Sequence, residues 1–296
     1  MSATLLPKLS RKAESFAPWI FVVIWSSGFV VAKYAFKSSN VIFFLSVRLL
    51  IAAGILALIT KALGQSLKLT RQDLYASLAI GIALHALYLG GVWEAIAQGS
   101  PSGIASVITS LQPVLVSLIA VRLLGERLSR NQLLGLFLGL AGVILVLAPA
   151  FSRTGEMTVI ALALLIAALS GSTSATLMQK KLGHSIPLLT GTTYQFLIAG
   201  IVLGIYSVAA GKTSIDWNLE SALAMAWAVV VTSLIAILLL LWMLTHGSAA
   251  RVSSLLYLVP PVTAVQAFIL FGEKLNSQAI IGIAMTALGV ALVQRA

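Results

Sequence analysis

The 296-residue chain contains no cysteine. Disulfides, thiol nucleophiles and cysteine-ligated metal sites are therefore excluded. Charge is also scarce: 9% of residues are charged and only 8 are acidic. Soluble domains carry about 25% charged residues, so this chain has too little polar surface to cover a water-facing globule. No acidic residue lies in the middle of a long apolar run, Glu94 coming nearest. The phosphate-loop pattern Gly-x-x-x-x-Gly-Lys-Ser/Thr is absent, so ATP is not the direct energy source. Neither His-Glu-x-x-His nor Gly-x-Ser-x-Gly occurs, which leaves an intramembrane enzyme as a weak alternative. A channel would need a ring of carbonyls or charges, and none is evident. No cofactor and no metal are expected.

What is abundant is apolar sequence, 59% of the chain. A membrane span needs about 20 apolar residues. A hydropathy pass gives ten candidates: about 16–36, 41–60, 74–97, 101–123, 130–148, 157–178, 187–208, 221–245, 248–271 and 277–294. The reading is an all-α, polytopic membrane protein whose first span is uncleaved. The net charge of +11 is spread over short loops, without a long basic run or aromatic platform, so nucleic acid is not an expected partner. With the N-terminus placed inside, thirteen of the 19 basic residues fall in inside loops and five in outside loops, with Arg48 within a span. That bias puts both termini in the cytoplasm.

The two halves align at a constant offset of 147 residues. Gly125-Glu126-Arg127-Leu128 falls on Gly272-Glu273-Lys274-Leu275, Pro113 on Pro260, Gly64 on Gly211, Gly135 on Gly282 and Gly142 on Gly289. Residues 1–150 and 151–296 are accordingly read as two five-helix repeats. Five is odd, so the second repeat enters the membrane from the opposite side. Inverted repeats recur in secondary transporters, with the substrate near the midplane between them. Duplication of a structural scaffold is the competing explanation.

Two five-span repeats, each with a Gly-Glu-Arg/Lys-Leu step after its fourth span, resemble the EamA-type branch of the drug/metabolite transporter superfamily. Arg48 and the segment ASVITSLQPVLVSLIAVRLLGERL, residues 105–128, fit the same pattern. The residues Trp25-Ser26-Ser27-Gly28-Phe29 and Gly91-Val92-Trp93-Glu94-Ala95 are similar to those of bacterial exporters of aromatic and other neutral amino acids. The resemblance implies a central cavity among spans one, three, four, six, eight and nine, with five and ten as scaffold. It also implies a bacterial inner-membrane location and amino acids as small-molecule substrates. The alternative within the branch is a proton-coupled exporter of cationic drugs or nucleobase-like metabolites.

Polar residues within spans are the candidates for a cavity lining. Span four carries Ser102, Ser106, Thr109, Pro113 and Ser117 on one helical face. Span three carries Ser77, Gly81, His85 and Tyr88, span nine Ser253, Tyr257 and Pro260, and spans one and six the paired positions Ser26 and Thr173. The expected cavity set is Trp25, Ser26, His85, Tyr88, Ser106, Thr109, Thr173, Thr232 and Tyr257. Small polar stripes also serve helix packing, and both readings stand. His85 is either a packed neutral imidazole or a substrate or proton contact. Pro113 and Pro260 kink their spans, as static bends or as paired hinges.

Arg48, two turns inside span two, is expected to be structural, reaching the outer interface or capping carbonyls. Glu126 and Glu273 are expected to order loops, with Ser129 and Asn276 capping the helices that follow. Gly135 and Gly139 in span five, with Gly282 and Thr286 in span ten, have the small-xxx-small spacing of close helix packing. The expected function is export of small neutral metabolites with little or no ion coupling, His85 or Glu94 being the fallback for protons. A monomer suffices for such a carrier, and a dimer stays open.

Overall fold

A computed structural model of the chain describes residues 11–35, 39–98, 100, 105, 108–151, 158–183, 185–246, 248–271 and 277–295. Among these residues the chain is helical throughout, with one isolated antiparallel bridge between Ser39 and Ile215. The helices are α1 (Arg11–Ala35), α2 (Val41–Ala62), α3 (Arg71–Ala97), α4 (Gln112–Leu123) and α5 (Arg130–Phe151). They continue as α6 (Val159–Leu182), α7 (Leu188–Ala209), α8 (Leu219–His246), α9 (249–271) and α10 (Ser277–Arg295). Seven of the helical stretches are long and apolar enough to cross a bilayer, those in α2, α3 and α6–α10. Among the described residues the apolar stretches of α1, α4 and α5 are shorter. For α4 the reason is local. Its 12 residues rise about 18 Å at 1.5 Å each, well short of a hydrocarbon core of about 30 Å.

Side chains at the helix starts fix where several of them begin. Asn40, Thr70, Thr158, Asn218 and Ser248 each accept a hydrogen bond from a backbone N–H in the first turn. Ser129 opens α5 with a reciprocal pair: its Oγ accepts from Gln132 N at 3.1 Å, and its N–H donates to Gln132 Oε1 at 2.9 Å. At the other end, α2 and α7 stop in the same way. Gly64 and Gly211 take φ of 69° and 66°, a left-handed turn that favours glycine. Gln65 N and Lys212 N then reach back to the carbonyls of Thr60 and Ser207 at 3.0 and 2.9 Å.

Packing pairs helices from opposite halves. α2 lies on α7, α5 on α10, α3 and α4 on α6, and α8 and α9 on α1. The α5–α10 crossing is antiparallel and too tight for side chains. A Cβ at Gly135 would stand 2.5 Å from the Gly289 carbonyl oxygen, and one at Gly282 would stand 2.7 Å from that of Gly142. Thr286 fills the centre of the seam and donates its hydroxyl to Gly282 O at 2.8 Å.

Two helices leave α geometry at their centres. In α3, Ile82–Gly90 is a π-helix, and in α8, Ala228–Ala236 is one. α9 passes through a 3-10 turn at Leu255–Leu258, just before Pro260. Ahead of α4 the helix is interrupted at Ser110 and Leu111, just before Pro113. Both prolines therefore sit in the first turn of a new helical segment, where a missing N–H costs least.

Candidate functional site

Three adjoining hollows lie at the centre of the bundle, and Trp25 of α1 and Tyr88 of α3 line all of them. The first is walled by Trp25, Tyr88, Trp93 and Phe196, with Arg48, His85, Thr232 and Ser233 as its polar groups. It leaves about 50 Å³ for the centre of a water molecule to move in, room for a few waters. The second runs beside Thr109, Gln112 and Pro260, and the third beside Gln112, Ser172, Thr176 and Ser253. α5 and α10 contribute nothing to any of the three.

The π-segments place the polar groups of the first hollow. A π-helix inserts an extra residue into the turn and re-aims the side chains that follow. Here Leu84, His85, Tyr88, Leu89 and Trp93 of α3 all face one hollow, as do Thr232, Ser233 and Ile237 of α8. His85 is buried with its Nε2 unpartnered, and its ring meets Phe196 edge-on at 4.8 Å. Thr232 donates to Ala228 O at 2.8 Å, within its own π-segment.

Of the nine cavity residues expected from sequence, Trp25, His85, Tyr88, Thr109 and Thr232 line the hollows. Three do not. Ser26 is buried and donates to Val259 O at 3.3 Å, joining α1 to α9. Thr173 is buried in α6 with its hydroxyl unpartnered, and its neighbours Ser172 and Thr176 face the third hollow in its place. Tyr257 turns away from the hollows toward α5, where a Cβ on Gly139 would come within 2.7 Å of its ring. The 3-10 turn that carries Tyr257 explains this, because it shifts the face from the one α-helical spacing assigns. Ser106 and Glu273 lie outside the described residues, as do Ser102, His184 and Asn276.

Arg48, expected to be structural, is only 7% exposed, and its Nε donates to Ser233 Oγ of α8 at 2.7 Å. The cavity also draws on α2 and α7, through Arg48, Leu49 and Phe196, beyond the six spans expected. Trp93 is buried in the wall of the first hollow. Gln112 is a further residue the spacing missed. Its amide donates to Thr176 Oγ1 at 3.0 Å, tying the break before α4 to α6. An amide beside a mid-span proline was the available signal.

Glu94 is buried at the end of α3, away from the hollows, and its partners account for it. Its Oε1 accepts from Gln98 Nε2 at 2.8 Å and Tyr206 hydroxyl at 3.2 Å, with Lys212 Nζ at 3.9 Å. Among the described residues no group of three or more His, Asp or Glu side chains is placed to hold a metal. Glu126 lies in a separate, more open hollow with Arg127, Ser129, Gln132, Ser248 and Arg251, clear of the central ones.

Comparison with known proteins agrees with this architecture. Residues 16–148 and 158–295 both match the description "EamA-like transporter family". The chain is 33% identical over 270 residues to the uncharacterized inner membrane transporter YedA of Escherichia coli, covering 90% of this chain and 84% of that one. The uncharacterized transporter YvbV of Bacillus subtilis is 24% identical, over 92% and 88% of the two chains. A probable terminal-alkyne amino-acid exporter of Streptantibioticus cattleyicolor is 27% identical, over 93% and 91%. One crystal structure superposes with a TM-score of 0.82 at 16% identity, over 97% and 98% of the chains, a likeness of fold.

Proposed function

The chain belongs to the EamA-like transporter family, and from that premise we propose that it exports aromatic and other neutral amino acids by alternating access. The observation that carries this reading is the first hollow. Its walls are aromatic, from Trp25, Tyr88, Trp93 and Phe196, and its polar groups are few and fixed. Pockets of that make-up hold small molecules with an apolar body and one polar end. The relative from Streptantibioticus, named as an amino-acid exporter, supports the same substrate class. Among the described residues no Asp or Glu lines the three central hollows, which supports transport with little or no ion coupling. The same charge pattern weighs against cationic drugs, since among the described residues the charged side chain in the lining is Arg48.

Ten spans in two inverted five-helix repeats, 1–150 and 151–296, make up the proposed carrier. The packing supports this. Residues 147 apart occupy exchangeable places: Gly135 meets Gly289 as Gly282 meets Gly142, and the caps at Gly64 and Gly211 are alike. The proline breaks recur at the same offset and the π-segments within one residue of it, at 146, so each half has a soft point beside the cavity. Such paired irregularities are suited to opening one side as the other closes. Cytoplasmic termini and a bacterial inner-membrane location complete the proposal.

Counterflow of radiolabelled L-phenylalanine in proteoliposomes tests it, run with and without a pH gradient. Saturable exchange that is insensitive to the gradient is expected. Absence of flux for all twenty amino acids would remove the substrate class, and non-saturating flux would point to a channel.

A further inference from the structure

We propose that Arg48 is the anchor for a carboxylate on the transported molecule, so that substrates are selected for an anionic end as well as an apolar body. This deepens the amino-acid reading and rests on it for the identity of the cargo. Arg48 is only 7% exposed and sits in the middle of the bundle. A guanidinium has five N–H donors in a planar fork. Its single hydrogen bond here is from Nε to Ser233 Oγ, and no ion-pair partner for it exists among the described residues. Glu94, the acidic residue nearest the middle of an apolar run, is already engaged by Gln98, Tyr206 and Lys212.

A buried cation without a counter-charge is costly, and breaking or omitting its partner is among the more destabilising arrangements in proteins. In a membrane such residues mark substrate or ion pathways and face the interior. Ser233 also fixes the direction of the fork, because a bond at Nε holds the guanidinium plane while its two terminal nitrogens stay available. A carboxylate fits that geometry with two parallel hydrogen bonds. His85 lines the same hollow, and its buried Nε2 has no hydrogen-bond partner among the described residues. Trp25 and Tyr88 line the same hollow and receive the apolar body. The repeat counterpart of Arg48 is Gln195, which bonds Gln179 at 3.3 Å and lines none of the hollows, so one site of this kind exists per chain among the described residues.

The test uses the purified full-length protein in detergent and three probes of one shape: L-phenylalanine, 3-phenylpropanoate (no amine) and phenethylamine (no carboxylate). Thermal stabilisation is read for the wild type, Arg48→Gln and Arg48→Lys. The anchor predicts stabilisation by the two carboxylates and none by phenethylamine. In Arg48→Gln their half-saturating concentrations rise about ten- to hundredfold, as expected for loss of a hydrogen-bonded charge pair. Arg48→Lys recovers part of the loss because the charge remains and the fork does not. Without ligand, Arg48→Gln is at least as thermostable as the wild type, since an unneutralised buried charge has been removed.

Equal stabilisation by phenethylamine, no stabilisation by any probe, or undiminished carboxylate binding in Arg48→Gln would overturn the assignment. So would a collapse in the stability of Arg48→Gln, which a structural arginine predicts. Flux separates the two readings. Carboxylate binding that depends on Arg48 without amino-acid transport removes the transport reading alone. Amino-acid flux unchanged in Arg48→Gln removes the anchor alone.

Discussion

Trp25 and Trp19 lie two turns apart on α1 with opposite surroundings. Trp25 lines every central hollow, while Trp19 is 61% exposed on the outside of the bundle. Trp25→Ala should cut saturable L-phenylalanine exchange at least tenfold, for loss of about 1.4 kcal/mol or more of aromatic contact. Trp19→Ala should leave that exchange unchanged in the same proteoliposome assay. Tyr257 gives the converse case. Its hydroxyl is buried without a partner and its ring is packed against α5. Tyr257→Phe should leave flux intact and shift thermal unfolding in detergent upward by an amount equivalent to about 1 kcal/mol, since an unsatisfied buried hydroxyl is removed. Residue types and depth along the chain were enough to place Trp25, His85 and Tyr88. They were not enough for Arg48 or Trp93, whose positions depend on which neighbours α2 and the end of α3 pack against. Depth in a span does not say whether a side chain faces lipid or a partner helix.

Helix ends were legible because they rest on local chemistry. The span expected at 187–208 is Leu188–Ala209, and that at 277–294 is Ser277–Arg295. The interiors were less so. Hydropathy has no signature for a change from i→i−4 to i→i−5 bonding, so the π-segments at Ile82–Gly90 and Ala228–Ala236 went unseen. Proline did announce the breaks near α4 and within α9, since it removes a donor wherever it stands. The small-residue spacing in α5 and α10 announced their seam. Glycine there has a measurable use. In Gly142→Leu the new Cβ would stand 2.6 Å from Thr286 N and 2.7 Å from Gly282 O, both backbone atoms. Overpacking of that kind costs about 1–3 kcal/mol or more, and the melting temperature in detergent should fall sharply. Gly54 in α2 has nothing within 4 Å of a new Cβ. Gly54→Ala should hold or raise that temperature, by up to about 1 kcal/mol in stability.

At the scale of the molecule, absent cysteine becomes an experimental advantage. Leu63 and Ala210 are repeat counterparts, each exposed beside its left-handed glycine. In the inverted arrangement they lie on opposite sides of the membrane. A membrane-impermeant maleimide applied to intact cells should label Ala210→Cys and spare Leu63→Cys, with no background from the parent chain. Equal labelling of both would contradict the inverted topology. The class of fold was readable from composition and the 147-residue offset because both are properties of the whole chain. Which halves exchange partners was not, since that is decided by the seams at α2–α7 and α5–α10 and not by any single span.

The two halves share a backbone plan and differ in what it carries. At positions 147 apart stand His85 and Thr232, each within its π-segment, and Arg48 and Gln195, in α2 and α7. A carrier of identical halves would present the same barrier from either side. With the halves inverted as proposed, this one does not, so its half-saturation and turnover measured from the two faces should differ. Detailed balance still ties the end point of passive exchange to the concentrations on each side. The asymmetry therefore governs rectification in rate, and leaves the final distribution of substrate untouched.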